Sequence, residues 1–317
     1  MNLIKKKYQQ FVNLINGIKS IQYEVKKINN THENELYSYK NSKVNLGQIL
    51  SILNCQKKNV VSLSEVEFQI FSQFGDDGII QWLINNIDVS NKTFVEFGVE
   101  KYIESNTRFL LFNNKWKGLV IDGDNDNVNY IRKDVVSYFF NLKAVSSFIT
   151  KDNINKIIES EEFDKDLGLL SIDIDGNDYW IWKSLEKINP AILISEYNAA
   201  FGLNSWTIPY KEDFVWDKIN HMYFWGTSLQ SLCDLAYEKD YSFIGCNSQG
   251  NNAYFVRNDK MKNLKKLTCE EGFMAAKFSL SRKANGDQFL DVEKRQTLVG
   301  KEIYNTRTKQ IEIINEL

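Results

Sequence analysis

The sequence predicts an α/β fold with a mostly parallel sheet, and three observations carry that expectation. Short apolar runs recur from Thr93 onward, each closed or followed by an acid; amphipathic stretches of helical length separate them; and two late runs lie too close together to need a helical crossover. The acid-closed runs are 93–97, 118–122, 169–173 and 191–195, and Glu196 follows the last of them. Residues 106–113, 127–135 and 152–158 read as the intervening helices. A further helix is expected over 227–239. After it, 241–245 and 253–256, joined by the turn-forming residues Asn247 to Gly250, predict an antiparallel edge on the sheet.

Ahead of this pattern, Tyr8, Phe11, Ile15, Ile18, Ile21, Val25 and Ile28 recur at three- and four-residue steps and predict a helix with one apolar stripe. The stripe needs a cover, either a second copy of the chain in a short coiled coil or the chain's own domain. A polar connector follows, and the apolar patch from Leu46 to Leu53 begins another helix. The expected organisation is a helical extension over 1–65 that could serve homo-oligomerisation, a Rossmann-like catalytic domain over 66–260, and a charged extension over 261–317 packing on that domain.

Composition narrows the partners. With a formal charge of −2 the chain lacks the concentrated cationic surface that nucleic acid requires. Cys55, Cys233, Cys246 and Cys269 form no CxxC pair, so neither a zinc knuckle nor a dithiol site is suggested. No apolar run reaches the ~18 residues of a membrane span, and the first residues lack a secretion signal's apolar core, so a cytoplasmic location is expected.

Ligands of open α/β sheets sit beyond the carboxyl ends of the strands, which directs attention to the acids there. Glu96 and Gly98 follow the first strand, without the further glycines of a dinucleotide fingerprint. Asp122 ends the second, where an acid can accept hydrogen bonds from both ribose hydroxyls of a nucleoside; a solvated turn explains the local Asp/Asn run equally well. The densest run holds Asp173, Asp175, Asn177 and Asp178. Strand alternation would send Asp173 and Asp175 to one side, where a cation, a proton or a hydrogen-bonding ligand must relieve their repulsion. With Glu196 and Asn198, Asp173 offers the hard oxygens that magnesium or manganese accepts; a metal-free carboxylate cluster reading substrate hydroxyls is the alternative. His221 is a candidate general base, against a plain surface or packing role. Tyr197, Phe201, Trp206, Tyr210, Trp216, Tyr223, Phe224 and Trp225 cluster after the fourth of these runs, a mixture suited to stacking on sugar rings, although core packing accounts for at least half of them.

Taken in order, the segments Ser72–Ile80, Phe94–Val99, Glu104–Arg108, Ser171–Trp180, Glu196–Asn198, Gly226–Leu229 and Gly250–Val256 resemble a branch of the FkbM-type S-adenosylmethionine-dependent methyltransferases. The resemblance implies a class I methyltransferase fold, with the methionine end of the cofactor near Glu96, Gly98 and Asn106, its ribose at Asp122, its adenine near Ala144 and Ser146, and Asp173 beside it. Catalysis would fall to His221, Asp173 and Asp175. The chain departs from many such enzymes in carrying Val99, Glu100 and Lys101 where they have glycines. The run Asp173–Tyr179 is also similar to an element of metal-dependent catechol-type O-methyltransferases, which implies Asp173, Glu196 and Asn198 as ligands of Mg2+ or Mn2+. The activity implied is O-methylation of a sugar or surface-glycan precursor of capsule or lipopolysaccharide. The competing readings are a sugar-nucleotide-modifying enzyme without methyl transfer and a non-catalytic nucleoside-binding scaffold.

Overall fold

The apolar runs and their acid stops form a seven-stranded sheet in the computed structural model, which describes residues 42–163, 166–217, 221–278, 287–288 and 290–315. The helix expected over residues 4–28 lies outside the described residues. Residues 42–55 are helical (α1). By its backbone contacts the chain divides between Gln48 and Ile49, so Leu63 and Val66, in a single 3-10 turn, belong with the main body and are buried in its core.

The elements then run α2 (Asp76–Asn86), β1 (Thr93–Phe97), α3 (Arg108–Asn114), β2 (Lys117–Asp122), α4 (Asn125–Lys133), α5 (Val135–Phe139), β3 (Leu142–Ser146), α6 (Ile154–Ser160), β4 (Leu169–Ile172), α7 (Asp178–Ser184), β5 (Ile192–Glu196), β6 (Trp206–Thr207), α8 (Leu229–Glu238), β7 (Tyr241–Cys246), β8 (Asn252–Arg257), α9 (Cys269–Gly272), α10 (Asp291–Gln296), β9 (Glu302–Asn305) and β10 (Gln310–Ile313). The main sheet has the order β3-β2-β1-β4-β5-β8-β7. Its first five strands pair in parallel, and β8 runs antiparallel to both β5 and β7. This is the mostly parallel, Rossmann-like sheet with an antiparallel edge that the sequence predicts.

Alternation along the strands divides the core in two. Val95, Leu119, Leu170, Leu193 and Phe255 face one way, against Ile154 and Ile158 of α6, Trp182 of α7 and Leu232 of α8. Phe94, Val120, Leu169, Ile192 and Tyr254 face the other way, against Ile79 and Leu83 of α2, Leu110 of α3 and Ile131 of α4. Both faces being covered explains why the strands read as continuous apolar runs. A second sheet, β10-β9-β6, joins the chain beyond residue 260 to the short β6, over a small core of Phe201, Ile208, Tyr223, Leu298, Ile303 and Ile314.

The segment Ser72–Ile80 builds the start of α2. Oδ2 of Asp77 accepts from the amides of Ile70, Phe71 and Ser72 at 2.7, 2.7 and 2.8 Å, which ties down the loop ahead of the helix. The Asp76 carboxylate accepts from the Tyr254 hydroxyl and from the side-chain amides of Asn252 and Asn247, and so clamps α2 to the β7–β8 hairpin. A Cβ on Gly78 would stand 2.2 Å from the Val66 carbonyl oxygen, so only glycine fits there. Among the described residues no helix is long and apolar enough to cross a membrane.

Candidate active site

Because β2, β1, β4 and β5 are consecutive in the sheet, the acids at their carboxyl ends meet along one edge. Glu96, Asp122, Asp173 and Glu196 all line a single cleft of about 930 Å³, together with Gly98, Asn106 and Asp175. Four sequence-derived candidates lie elsewhere, for reasons the geometry gives.

At the β1 end, Gly98 has φ +69°, and a Cβ on it would overlap the Asp173 carbonyl oxygen at 1.6 Å. Glycine is needed there both for the left-handed backbone and for the approach of β1's loop to β4. The loop continues through Glu100 and Tyr102, also at positive φ, so it coils tightly without the extra glycines of many methyltransferases. The Glu96 carboxylate accepts from the amides of Asn106 and Thr107 at 2.9 and 3.1 Å and from the Thr107 hydroxyl at 2.5 Å, which fixes the start of α3. Burial outweighs those donors and holds its pKa up at about 7.

That displacement makes a prediction. A carboxyl whose folded pKa is raised adds stability below the usual carboxylate range and loses it as pH rises through the folded value. Between pH 5 and pH 8 the wild-type unfolding free energy should therefore fall, with Glu96 contributing up to about 3 kcal/mol. Glu96→Gln should flatten the profile by that amount in urea titrations at the two pH values. Equal slopes for both proteins would refute the assignment.

At the β2 end, Asp122 Oδ2 accepts from the Glu100 amide at 2.7 Å, while Oδ1 accepts from the Asp124 amide at 2.8 Å and Asn127 Nδ2 at 3.2 Å. A carboxylate has about four acceptor positions. One remains, on Oδ2, so Asp122 has room for one ribose hydroxyl rather than the expected two. Beyond β3, the cleft is walled by Ser147, Phe148 and Ile149. Ala144 and Ser146 do not line it: both lie within β3, paired with Val120 and Asp122, and only the residues past the strand reach the rim.

The acid run after β4 divides by role. Asp178 accepts from the amides of Ile174 and Gly176, both at 3.0 Å, and so shapes the turn at the start of α7. Asp173 and Asp175 both line the cleft, but not through strand alternation, since β4 stops at Ile172; the turn does it, with Asp175 at φ +54°. One carboxylate oxygen from each of Asp173, Asp175 and Glu196 lies within 4.8 Å of the others. Removal from water, then the charges of Asp175, Asp178 and Glu96, holds the Asp173 carboxyl well above the usual range. Burial, followed by the charges of Asp173, Asp175 and Asp178, does so for Glu196. With their oxygens this close and out of water, each carboxyl is harder to ionise than it would be in solvent.

Asn198 stands apart. Its Nδ2 donates to the carbonyls of Tyr223 and Trp225 at 2.6 and 2.9 Å and its Oδ1 accepts from the Ala200 amide at 3.0 Å, so it caps a turn, and it does not line the cleft with Asp173 and Glu196. His221 is outside the cleft lining as well. Its Nδ1 accepts from the Asp217 amide at 2.8 Å and its ring packs against Phe214, a packing role. Of the eight aromatics that suggested a sugar platform, Trp216 alone lines the cleft; Phe201 and Tyr223 are core, and Tyr197, Tyr223 and Trp225 wall a separate small pocket.

Sequence reasoning missed Phe148, Phe214, Phe278 and Asn252. Phe214 lies over Gly176, whose Cβ would come within 2.4 Å of the ring. Asn252 was within reach: the Asn251-Asn252 pair opens β8 directly opposite Glu196.

No protein-family model matches the chain, and no curated protein matches its sequence. Solved structures do. A S-adenosylmethionine-dependent methyltransferase from Clostridium acetobutylicum is 10% identical, with 57% of this chain and 90% of that one covered and a TM-score of 0.37. A SAM dependent methyltransferase from Aquifex aeolicus is 10% identical over 66% of this chain and 97% of its own, with a TM-score of 0.35. M. capricolum TrmK, solved in complex with S-adenosyl-homocysteine, is 15% identical over 62% of this chain and 74% of its own, with a TM-score of 0.36. These are loose likenesses of architecture.

Proposed function

We propose that the chain is a S-adenosylmethionine-dependent O-methyltransferase acting on a hydroxyl of a sugar or glycan precursor. One observation carries the reading: a single cleft along consecutive strands has chemically distinct ends. One end offers Asp122 with its remaining acceptor position and the wall 147–149; the other gathers Asp173, Asp175 and Glu196. From β2 to β5 is three strand intervals, about 14 Å at ~4.8 Å each. That span suits a nucleoside joined to an amino acid, with an acceptor at the acidic end.

Bound in this way, S-adenosylmethionine supplies an electrophilic methyl group on a sulfonium centre. The chain's part is positioning. The Asp122 carboxylate accepts from a ribose hydroxyl, and the tight coil at 98–102 brings backbone against the methionine portion. An acceptor hydroxyl lodged among Asp173, Asp175 and Glu196 has carboxylate oxygens to receive its proton, a role that passes from His221 to the acids because His221 does not line the cleft. Holding both reactants in line can supply about 7–11 kcal/mol of the barrier reduction. A lining that mixes the side-chain amides of Asn106, Asn127 and Asn177 with the rings of Phe148, Phe214 and Trp216 suits a ligand with many hydroxyls and apolar ring faces.

Calorimetry with S-adenosylmethionine and S-adenosylhomocysteine tests the first half, with a dissociation constant of about 1 µM to 1 mM expected. Labelled methyl transfer to a panel of nucleotide sugars and oligosaccharides tests the second. No binding of either nucleoside at millimolar concentration would sink the reading, whereas nucleoside binding without transfer to any hydroxylated acceptor would leave only a binding scaffold.

A further inference from the structure

We propose that the small pocket beside the acidic end of the cleft is a site for an anionic group, a phosphate or a carboxylate, held by Lys294, Arg295 and the indole N–H of Trp225. Its use, to receive the charged group of an anionic acceptor, rests on the methyltransferase reading; the binding of the anion does not.

The pocket encloses about 60 Å³. A water needs roughly 10 to 15 Å³ of such space, so there is room for about four to six atoms of that size, enough for a carboxylate or a phosphate and too little for a sugar ring. Its wall carries cations. Lys294 and Arg295, in the last turn of α10, both line it, and among the described residues no carboxylate does. Lys294 Nζ stands 5.9 Å from the centre of the Tyr223 ring, itself part of the wall, which places that charge against the pocket.

Trp225 adds an unmet donor. It is 2% exposed, and its Nε1 has no hydrogen-bond partner. An indole nitrogen only donates, and a buried donor is costly to leave unpaired. Trp225 lines this pocket and not the cleft, so the pocket is the space from which an anion's oxygen can reach it.

Position ties the pocket to the cleft. Phe278 lines both. Glu196 and Asn251 line the cleft while their chain neighbours Tyr197 and Gly250 line the pocket, and consecutive Cα atoms are about 3.8 Å apart, so the two spaces adjoin where β5 ends and β8 begins. Glu196 belongs to the acid group with Asp173 and Asp175, and those acids offer a negative group no counter-charge. An acceptor that carries a phosphate or a carboxylate must lay it elsewhere, and the pocket behind Phe278 provides the cations that the acids lack. The chain beyond residue 260, which contributes Phe278, Lys294 and Arg295, thereby takes part in choosing the acceptor.

Nuclear magnetic resonance on the 15N-labelled full chain tests the site. The chain has seven tryptophans, and the indole N–H signal of Trp225 is the one missing from Trp225→Phe. Inorganic phosphate and acetate are titrated separately at constant ionic strength. The Trp225 signal should move saturably, and Lys294→Gln combined with Arg295→Gln should weaken the binding by about 10-fold or more in a variant that melts with the wild type. Equilibrium dialysis of radiolabelled phosphate and acetate against the wild type and the double variant gives the same comparison without Trp225→Phe. Tighter phosphate supports a phosphorylated acceptor, and tighter acetate an acidic sugar. No saturable binding of either anion at tens of millimolar, or equal binding by the folded double variant, overturns the proposal. Calorimetry with S-adenosylmethionine on the same samples separates the two ideas: an anion bound without the nucleoside leaves the pocket standing and removes its assignment to the acceptor.

Discussion

Gly98→Ala should cost the protein both its nucleoside and several kcal/mol of stability. Two independent effects add. A left-handed φ of +69° is unfavourable for alanine by roughly 1 to 2 kcal/mol. The added methyl carbon would also meet the Asp173 carbonyl oxygen at 1.6 Å, and that neighbour is backbone and cannot swing aside. Relief requires the ends of β1 and β4 to separate, and overpacking of this kind costs about 1 to 3 kcal/mol. The same separation would move the 98–102 coil away from Asp122, whose Oδ2 holds the Glu100 amide. Urea unfolding should show a loss of roughly 2 to 5 kcal/mol, and calorimetry should show no nucleoside binding in the folded fraction. Gly123→Ala is the comparison: its Cβ would sit 3.4 Å from a Phe148 ring carbon, an ordinary contact, so its stability should be nearly unchanged. Equal stability and equal binding in Gly98→Ala and the wild type would refute this account of the β1–β4 junction.

The parts of the fold that were legible in the sequence were those with one dominant physical signal. β1, β2, β4 and β5 are buried on both faces, so their apolar runs stop at the residue that emerges into the cleft. β3 was not read as a strand because Lys143 and the half-buried 144–146 leave it an edge strand with a diluted pattern. α2 was hidden for the opposite reason. Its opening GDDG looks like a solvated turn, yet Asp76 and Asp77 are each 1% exposed, their charges met by amides and a hydroxyl contributed from residues 70–72 and 247–254. Asn198, His221, Ala144 and Ser146 share another limit. Each lies within five residues of one that lines the cleft, but whether a side chain turns toward the cleft or back into its own turn depends on local hydrogen bonds that spacing does not encode. Asn252 shows the converse: it enters the site through pairing with a strand far away in sequence.

Asp122 and Asp173 should divide binding from turnover. On the proposed methyltransferase reading, Asp122→Ala removes a charged acceptor of a ribose hydroxyl, a hydrogen bond of about 1.5 to 3 kcal/mol, so nucleoside affinity should fall roughly 10- to 100-fold. Asp173→Ala should leave that affinity within a few-fold and lower kcat by about 1,000-fold or more, because it removes one of the oxygens facing the acceptor rather than the nucleoside. Stability gives a second, independent readout. Asp173 is buried beside Asp175, Asp178 and Glu96, whose charges raise the free energy of its ionised form. In metal-free buffer at pH 8, Asp173→Asn removes that repulsion while keeping the side chain's shape, so the melting temperature should rise by a few degrees even as turnover disappears. A folding role predicts the reverse, a lower melting temperature in step with lost activity. If both variants lose nucleoside affinity equally, or Asp173→Asn melts below the wild type, the acids after β4 are holding the fold together and the reaction must be sought elsewhere in the cleft.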